Sequence, residues 1–217
     1  MITIIDYGLG NLFSITNALK KVGVTASISS NRNEILEADG IILPGVGAFG
    51  EAMQRLSDLQ LIDTLTSFND TKKPILGICL GMQLLFSKSE EFGNHSGLNF
   101  IQGNVLKFPN NNSKVPQVGW NNSRKINSNN SAQNIFSNIP DHAYFYFVHS
   151  YYVDSHEPNC TLTETIYDGL TYTSSIQKNH ISATQFHPEK SHIQGLKLLK
   201  NWTNMVDEHK KLRKEEK

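Results

Sequence analysis

The chain has 217 residues, 38% of them hydrophobic, with 20 basic and 20 acidic side chains that cancel and only two cysteines. At roughly 150 residues per domain this favours one domain, 1–217, able to bury its own core, and the neutral balance argues against a nucleic-acid surface driven by bulk charge. No apolar run approaches the roughly 18 residues of a bilayer span, MITIIDYGLGN lacks the basic start of a signal peptide, and the cysteine and histidine spacing supports neither a disulfide scaffold nor a metal site, so a reduced, cytoplasmic setting without metal or cofactor is expected.

The chain opens on an apolar, β-branched run at 2–6, followed by the glycine-punctuated turn YGLGN. Asn11 can cap a helix whose apolar positions Leu12, Ile15, Ala18, Leu19 and Val22 keep helical spacing, closed by Gly23. Strands are expected at 24–28 and 40–43, helices at about 49–57 and 60–69, and a strand at 74–78 running into Cys79-Leu80-Gly81 and the helix MQLLF. Such alternation predicts a parallel, doubly wound α/β sheet. The second half reads differently. Strands are expected at 100–108 and 115–119, then an asparagine-rich stretch reaching 138, read as compositional drift ahead of a polar surface insertion. The run YFYFVHSYYV at 144–153 predicts one strand, and 161–166, 170–177 and 180–186 predict antiparallel hairpins with Asp168-Gly169 as a turn. A last helix at 191–206 should turn Ile193, Leu196, Leu199 and Trp202 or Thr203 inward, and 206–217 should be a solvated, fraying end.

Three segments can carry chemistry. In Gly77-Ile78-Cys79-Leu80-Gly81 a strand enters and a helix leaves, so the cysteine sits on a sharp turn whose glycines relieve crowding. Helix-terminal amides there favour thiolate and can bind an oxyanion. The motif alone leaves a buried structural cysteine equally open. In Gln185-Phe186-His187-Pro188-Glu189 a histidine and a carboxylate two apart can share one side of an extended chain. Read alone, Glu189 is better taken as a first-turn residue and His187 as a surface one. Both segments at strand ends of one sheet change that balance, because such a sheet gathers its carboxyl ends into one crevice. Leu43-Pro44-Gly45-Val46-Gly47 can bring backbone amides to a ligand or be a plain strand-to-helix turn. Gly8 and Gly10 fit no phosphate-loop spacing, so nucleotide binding is rejected there.

GICLGMQLLF, QFHPEKS and LPGVGAF resemble the class I (triad) glutamine amidotransferases. DYGLGNLFSITNAL, VGWN and YFVHSYY are similar, more narrowly, to the glutaminase subunits of imidazole glycerol phosphate synthase, in order over nearly the whole chain. The resemblance implies a three-layer, flavodoxin-like mixed sheet with an antiparallel extension. It implies Cys79 as nucleophile toward L-glutamine, His187 as its base and later acid, and Glu189 as the group orienting His187. Oxyanion donors would be the backbone of Leu80 and, after rearrangement, Val46 or Gly47. Gln83, Glu91, Ser150 and Tyr151 match glutamine-holding positions, and Tyr146 matches one lining the same pocket. The implied partner is a (β/α)8-barrel cyclase that receives the ammonia for histidine biosynthesis, with Asn11, Trp120 and Lys190 at that interface. Gln117 stands where this family commonly has histidine, and its closeness to Trp120 in sequence puts it near the expected partner surface. A paralogous glutaminase serving another synthase, for instance in amidino-sugar formation, and a stand-alone cysteine hydrolase are the alternatives. Cys160 is expected to be inert.

Overall fold

The computed structural model describes residues 1–109, 114–126 and 134–215. Residues 110–113 and 127–133 of the asparagine-rich stretch therefore lie outside the described residues.

The first half runs β1 (Ile2–Ile5), α1 (Leu12–Lys21), β2 (Ala26–Ser29), α2 (Arg32–Glu37), β3 (Gly40–Leu43), α3 (Phe49–Asp58), α4 (Leu61–Asp70), β4 (Ile75–Ile78) and α5 (Leu80–Leu84). The second half runs β5 (Lys88–Ser89), β6 (His95–Ser96), β7 (Gly103–Lys107), β8 (Gln117–Lys125), β9 (Ala143–His149), β10 (Tyr151–Ser155), β11 (Thr161–Tyr167), β12 (Leu170–Lys178), β13 (Ile181–Thr184) and α6 (His192–Glu215). Every residue of β1, β3, β4 and β13 is buried. Such short, continuously buried strands suit a parallel sheet covered on both faces. They pair in parallel in the order β2-β1-β3-β4-β13, which is the flavodoxin-like winding.

Alternation along each strand divides the core. Ile5, Leu43, Phe49, Leu56, Leu65 and Phe68 fill the side under α2, α3 and α4. Ile4, Ile42, Leu19, Leu198, Leu199 and Trp202 fill the other, under α1 and α6. The two helical layers and the sheet make the three-layer α/β fold. Each fully buried Leu, Ile or Phe contributes about 1.5–3 kcal/mol. Beyond β13 the sheet turns antiparallel through β12, β10 and β7, while β11, β8 and β9 branch off β12.

Several boundaries differ from expectation. α2 is missing from the sequence reading because only Ile35 is buried in it, so no periodicity marks it, although Asn31 caps it by accepting from the amides of Asn33 and Glu34. The run 144–153 breaks at Ser150 into two strands that serve different neighbours, β9 against β8 and β10 against β7. β8 continues through the polar residues to Lys125. α6 stays helical to Glu215 and is tied down where Lys210 Nζ donates to Asp39 Oδ2 at 2.6 Å. Ile193 is exposed rather than inward. The buried stripe of α6 is Gly195, Leu198, Leu199, Trp202 and Val206, and Ile193 falls about half a turn off it.

Gln117 does not share the exposed face of β8 that carries Trp120, contrary to the expectation from their closeness in sequence. It is 2% exposed, whereas Trp120 is 46% exposed. The two are an odd number of residues apart on β8, which puts their side chains on opposite faces. Gln117 instead accepts from the Tyr172 hydroxyl at 2.9 Å inside the fold.

Candidate active site

The carboxyl ends of β3, β4 and β13 converge as the winding requires. Cys79 follows β4 directly, with φ 55° and ψ −112°. Positive φ with strongly negative ψ is costly for any side chain, and such strain persists only where the surroundings enforce it. Those surroundings are identifiable. The Cys79 amide donates to Thr184 O at 2.8 Å, and its carbonyl accepts from Met82 at 3.0 Å. A Cβ on Gly81 would stand 1.8 Å from Leu43 O, and one on Gly77 would stand 3.0 Å from Met82 Cα. Both glycines of the motif are thus required by close backbone approach. Leu80 opens α5, where backbone N–H groups lack intrahelical acceptors.

His187 and Glu189 arrive from β13. His187 Nδ1 and Glu189 Oε1 are 2.7 Å apart, and both side chains are almost wholly buried. His187 Nε2 is buried without a hydrogen-bond partner among the described residues, on the same cavity as Cys79. Burial alone would lower the imidazole pKa. The charge and close approach of Cys79, then the hydrogen bond and charge of Glu189, outweigh it and push the ring up to about 10. The backbone of His187 is fixed as well, its amide donating to Tyr146 O at 2.9 Å.

A cavity of about 320 Å³ opens beside these groups. Cys79, His187, Leu80, Val46, Gly47, Gln83, Glu91, Ser150 and Tyr151 all line it, joined by Val148 and His149. The loop carrying Val46 and Gly47 is anchored where the buried Tyr7 hydroxyl donates to Pro44 O at 2.7 Å. Burial, with Cys79 nearby, pushes that phenol well above its ordinary pKa. Glu91, from the segment after β5, accepts from the Phe49 amide at 2.6 Å and so caps α3. Burial raises its carboxyl pKa even though that amide bond lowers it. The Asp6-to-Gly10 turn is not part of the cavity lining.

Tyr146 does not join the lining. It stands two residues before Val148 on β9, and its ring lies edge-on to Trp120 at 6.2 Å with Lys190 Nζ 5.8 Å from its centroid. Trp120 in turn stacks on His192 at 5.2 Å. Asn11 is at the start of α1, accepting from Ser14 N at 3.1 Å.

A strained cysteine at a strand-to-helix elbow, facing a histidine backed by a carboxylate, is an arrangement for acyl transfer through a thioester. The sequence matches the family model of "Glutamine amidotransferase class-I" over residues 3–205. The chain belongs to that family. It is 51% identical over 206 residues to the protein named imidazole glycerol phosphate synthase subunit HisH from Methanosarcina mazei, covering 94% of this chain and 98% of that one. It is 43% identical to the subunit of the same name from Chlorobium chlorochromatii, covering 94% of this chain and 100% of that one. Among solved structures it resembles PurLQS from Thermotoga maritima, with a TM-score of 0.72 at 16% identity over 94% of this chain and 98% of that one. It also resembles the glutaminase domain of Trypanosoma brucei CTPS, with a TM-score of 0.65 at 17% identity over 94% of this chain and 93% of that one. At those identities the structural likeness speaks for the fold alone. This amidotransferase has no helix among its described residues long and apolar enough to cross a membrane.

Sequence reasoning assigned nothing to His149, Tyr7 or Gln185. His149 is buried at the cavity wall, with Nδ1 2.8 Å from Tyr151 O. Burial lowers its pKa to about 4, and only the Tyr151 carbonyl bond opposes this while His187 adds to it. Each of the three stood inside a quoted motif, but the working contacts of Tyr7 and Gln185 are long-range, and that of His149 depends on the strand break at Ser150, so none has a local pattern.

Proposed function

We propose that this chain is the glutaminase subunit of imidazole glycerol phosphate synthase. In this reading it hydrolyses L-glutamine to glutamate and passes the ammonia to a (β/α)8-barrel cyclase partner, in the cytoplasm, for histidine biosynthesis. The observation that carries the reading is the strained Cys79 and the buried His187–Glu189 pair opening on one cavity with Gln83, Glu91, Ser150 and Tyr151.

The chemistry follows from these positions. The Cys79 sulfur attacks the side-chain amide carbon of glutamine, and a C–S bond forms. The oxyanion is met by the Leu80 amide and, once the Pro44–Gly47 loop rearranges, by Val46 or Gly47. His187, charged and held by Glu189, gives its proton to the departing nitrogen as the C–N bond breaks and ammonia leaves. The neutral imidazole then takes a proton from water, which attacks the γ-glutamyl thioester and releases glutamate and the sulfur. Glu91 suits the substrate ammonium and Ser150 its carboxylate. The outward face of β8 and β9 presents Val118, Trp120 and Tyr144, all exposed. Exposed aromatics of this kind anchor interfaces, and Asn11 and Lys190 extend the same docking surface.

Glutamate release tests the proposal when measured for the chain alone, with the cyclase, and with the cyclase plus its ribulosyl phosphate substrate. Strong stimulation only in the last mixture is expected. Full activity without any partner would make the chain an independent hydrolase. Silence in all three mixtures, with the protein folded, would assign it to another synthase.

A further inference from the structure

We propose that Gln185 is a positioning residue for the nucleophile, its side-chain amide held by a relay of fixed polarity so that an N–H is turned on the Cys79 sulfur. The inference rests on Cys79 being the nucleophile of the reading above. The relay starts at a group that can only accept, the carbonyl oxygen of Tyr151. Two side chains converge on it, His149 Nδ1 at 2.8 Å and Gln83 Nε2 at 2.9 Å. His149 must therefore carry its proton on Nδ1, and Gln83 must direct its NH2 end inward. That same nitrogen lies 3.0 Å from the side-chain oxygen of Gln185. Oxygen must face nitrogen there, so the other end of the Gln185 amide is the donor. It lies 3.8 Å from Cys79 Sγ. Neither the Gln83 nor the Gln185 amide can be flipped without setting two donors or two acceptors against each other. Gln185 is fully buried, so water cannot take its place.

Two consequences follow. A sulfur that receives an N–H bond is stabilised as thiolate, the attacking form. The Val148 carbonyl oxygen, also 3.8 Å from Sγ, pulls the other way by accepting from the thiol, so Gln185 tips a balance. In addition, both N–H groups of Gln83 are engaged inside the fold, which leaves only its Oε1 to meet substrate. Gln83 therefore reads the substrate as an acceptor. The titratable groups that face Cys79 are Tyr7 from the loop after β1, and His187 with Glu189 behind it after β13. Glu91 shares the cavity, and His149 faces His187. None of these is changed by substituting Gln185.

The test is the pH profile of Cys79 alkylation by iodoacetamide in the full chain, followed by peptide mass so that Cys160 is counted separately. Gln185→Met keeps the length and removes the donor. Gln185→Glu keeps the shape and replaces the donor by an acceptor. Alkylation at neutral pH is expected to slow by about tenfold in the first, the loss of one hydrogen bond to a charged group, and by more in the second, with the midpoint moving up in that order. Wild-type profiles in both variants would overturn the relay. If either variant fails to fold, the wild-type chain answers instead. The Gln185 side-chain amide resonance should move with the same midpoint as Cys79 alkylation, and a resonance that ignores that titration would overturn the inference. A wild type with this behaviour that releases no glutamate with any partner would defeat the functional reading and leave the relay standing.

Discussion

The Cβ that Gly81 lacks would stand 1.8 Å from the carbonyl oxygen of Leu43. That one contact holds the start of α5 against the end of β3, and so brings Cys79 beside the Pro44–Gly47 loop. Neither atom is the end of a flexible side chain, so nothing can step aside. Gly81→Ala should therefore lose more than about 3 kcal/mol, beyond the usual cost of overpacking. Urea denaturation measures it, and a loss under about 1 kcal/mol would mean the two backbones are not locked together.

The strain at Cys79 predicts an inversion of ordinary residue preference. Glycine normally destabilises by roughly 0.5–1 kcal/mol relative to alanine. At φ 55° and ψ −112° the Cβ itself is the problem, at a cost of about 1–3 kcal/mol. Cys79→Gly should thus be more stable than Cys79→Ala by about 1 kcal/mol in thermal or urea unfolding. Both should release no glutamate. An alanine variant equal to or above the glycine variant would show that the elbow holds no strain.

How far the sequence reveals this site depends on the range of each interaction. The elbow is legible because its requirements are local, two glycines around one residue between a strand and a helix. His187 and Glu189 are legible only beside the elbow: read alone they favour a surface histidine and a first-turn carboxylate, and the pair meets not along an extended chain but across a tight 3-10 turn at Pro188–Lys190. The parallel half of the fold follows from apolar runs separated by helical periods. Gln117 shows where such reasoning stops. Proximity in sequence to Trp120 suggested the partner face, but strand alternation turns the side chain inward to Tyr172. α2 was invisible because one buried isoleucine makes no period. His149 and Gln185 gain their roles from partners 2 to 106 positions away, and composition around them carries no trace of that.

Trp120 is the natural anchor for a partner. Its indole is stacked on His192 and edged by Tyr146, so the ring is already ordered and loses little freedom on docking. Trp120→Ala should weaken binding of the cyclase by about 30-fold or more, the 2 kcal/mol scale of an interface hot spot. Calorimetry reads the affinity, and the thermal midpoint of the free chain should stay close to wild type because the ring is half exposed. Unchanged affinity would remove this face from the interface.

Buried His149 should give the chain an acid-side stability slope. Its pKa is lowered to about 4 by burial, with His187 adding to the shift and the Tyr151 carbonyl bond opposing it, whereas an unfolded histidine titrates near about 6.5. Between those values the unfolded chain binds the extra proton and the folded chain does not. Stability from this residue is therefore complete above about pH 6.5 and falls as pH drops toward 4, by up to about 3 kcal/mol. His187 acts in a different window. Its pKa is raised to about 10 once Cys79 and Glu189 overcome burial, so its contribution is present below about pH 6.5 and is lost only as pH rises. His180, also lowered to about 4, chiefly by burial and then by Lys72 and His209, adds to the acid slope. His149→Gln, which can still donate to Tyr151 O, isolates the first effect. Urea unfolding of both proteins from pH 4 to pH 7 should show the wild type losing stability on acidification more steeply than the variant. Parallel curves would mean that His149 takes up its proton inside the fold without penalty.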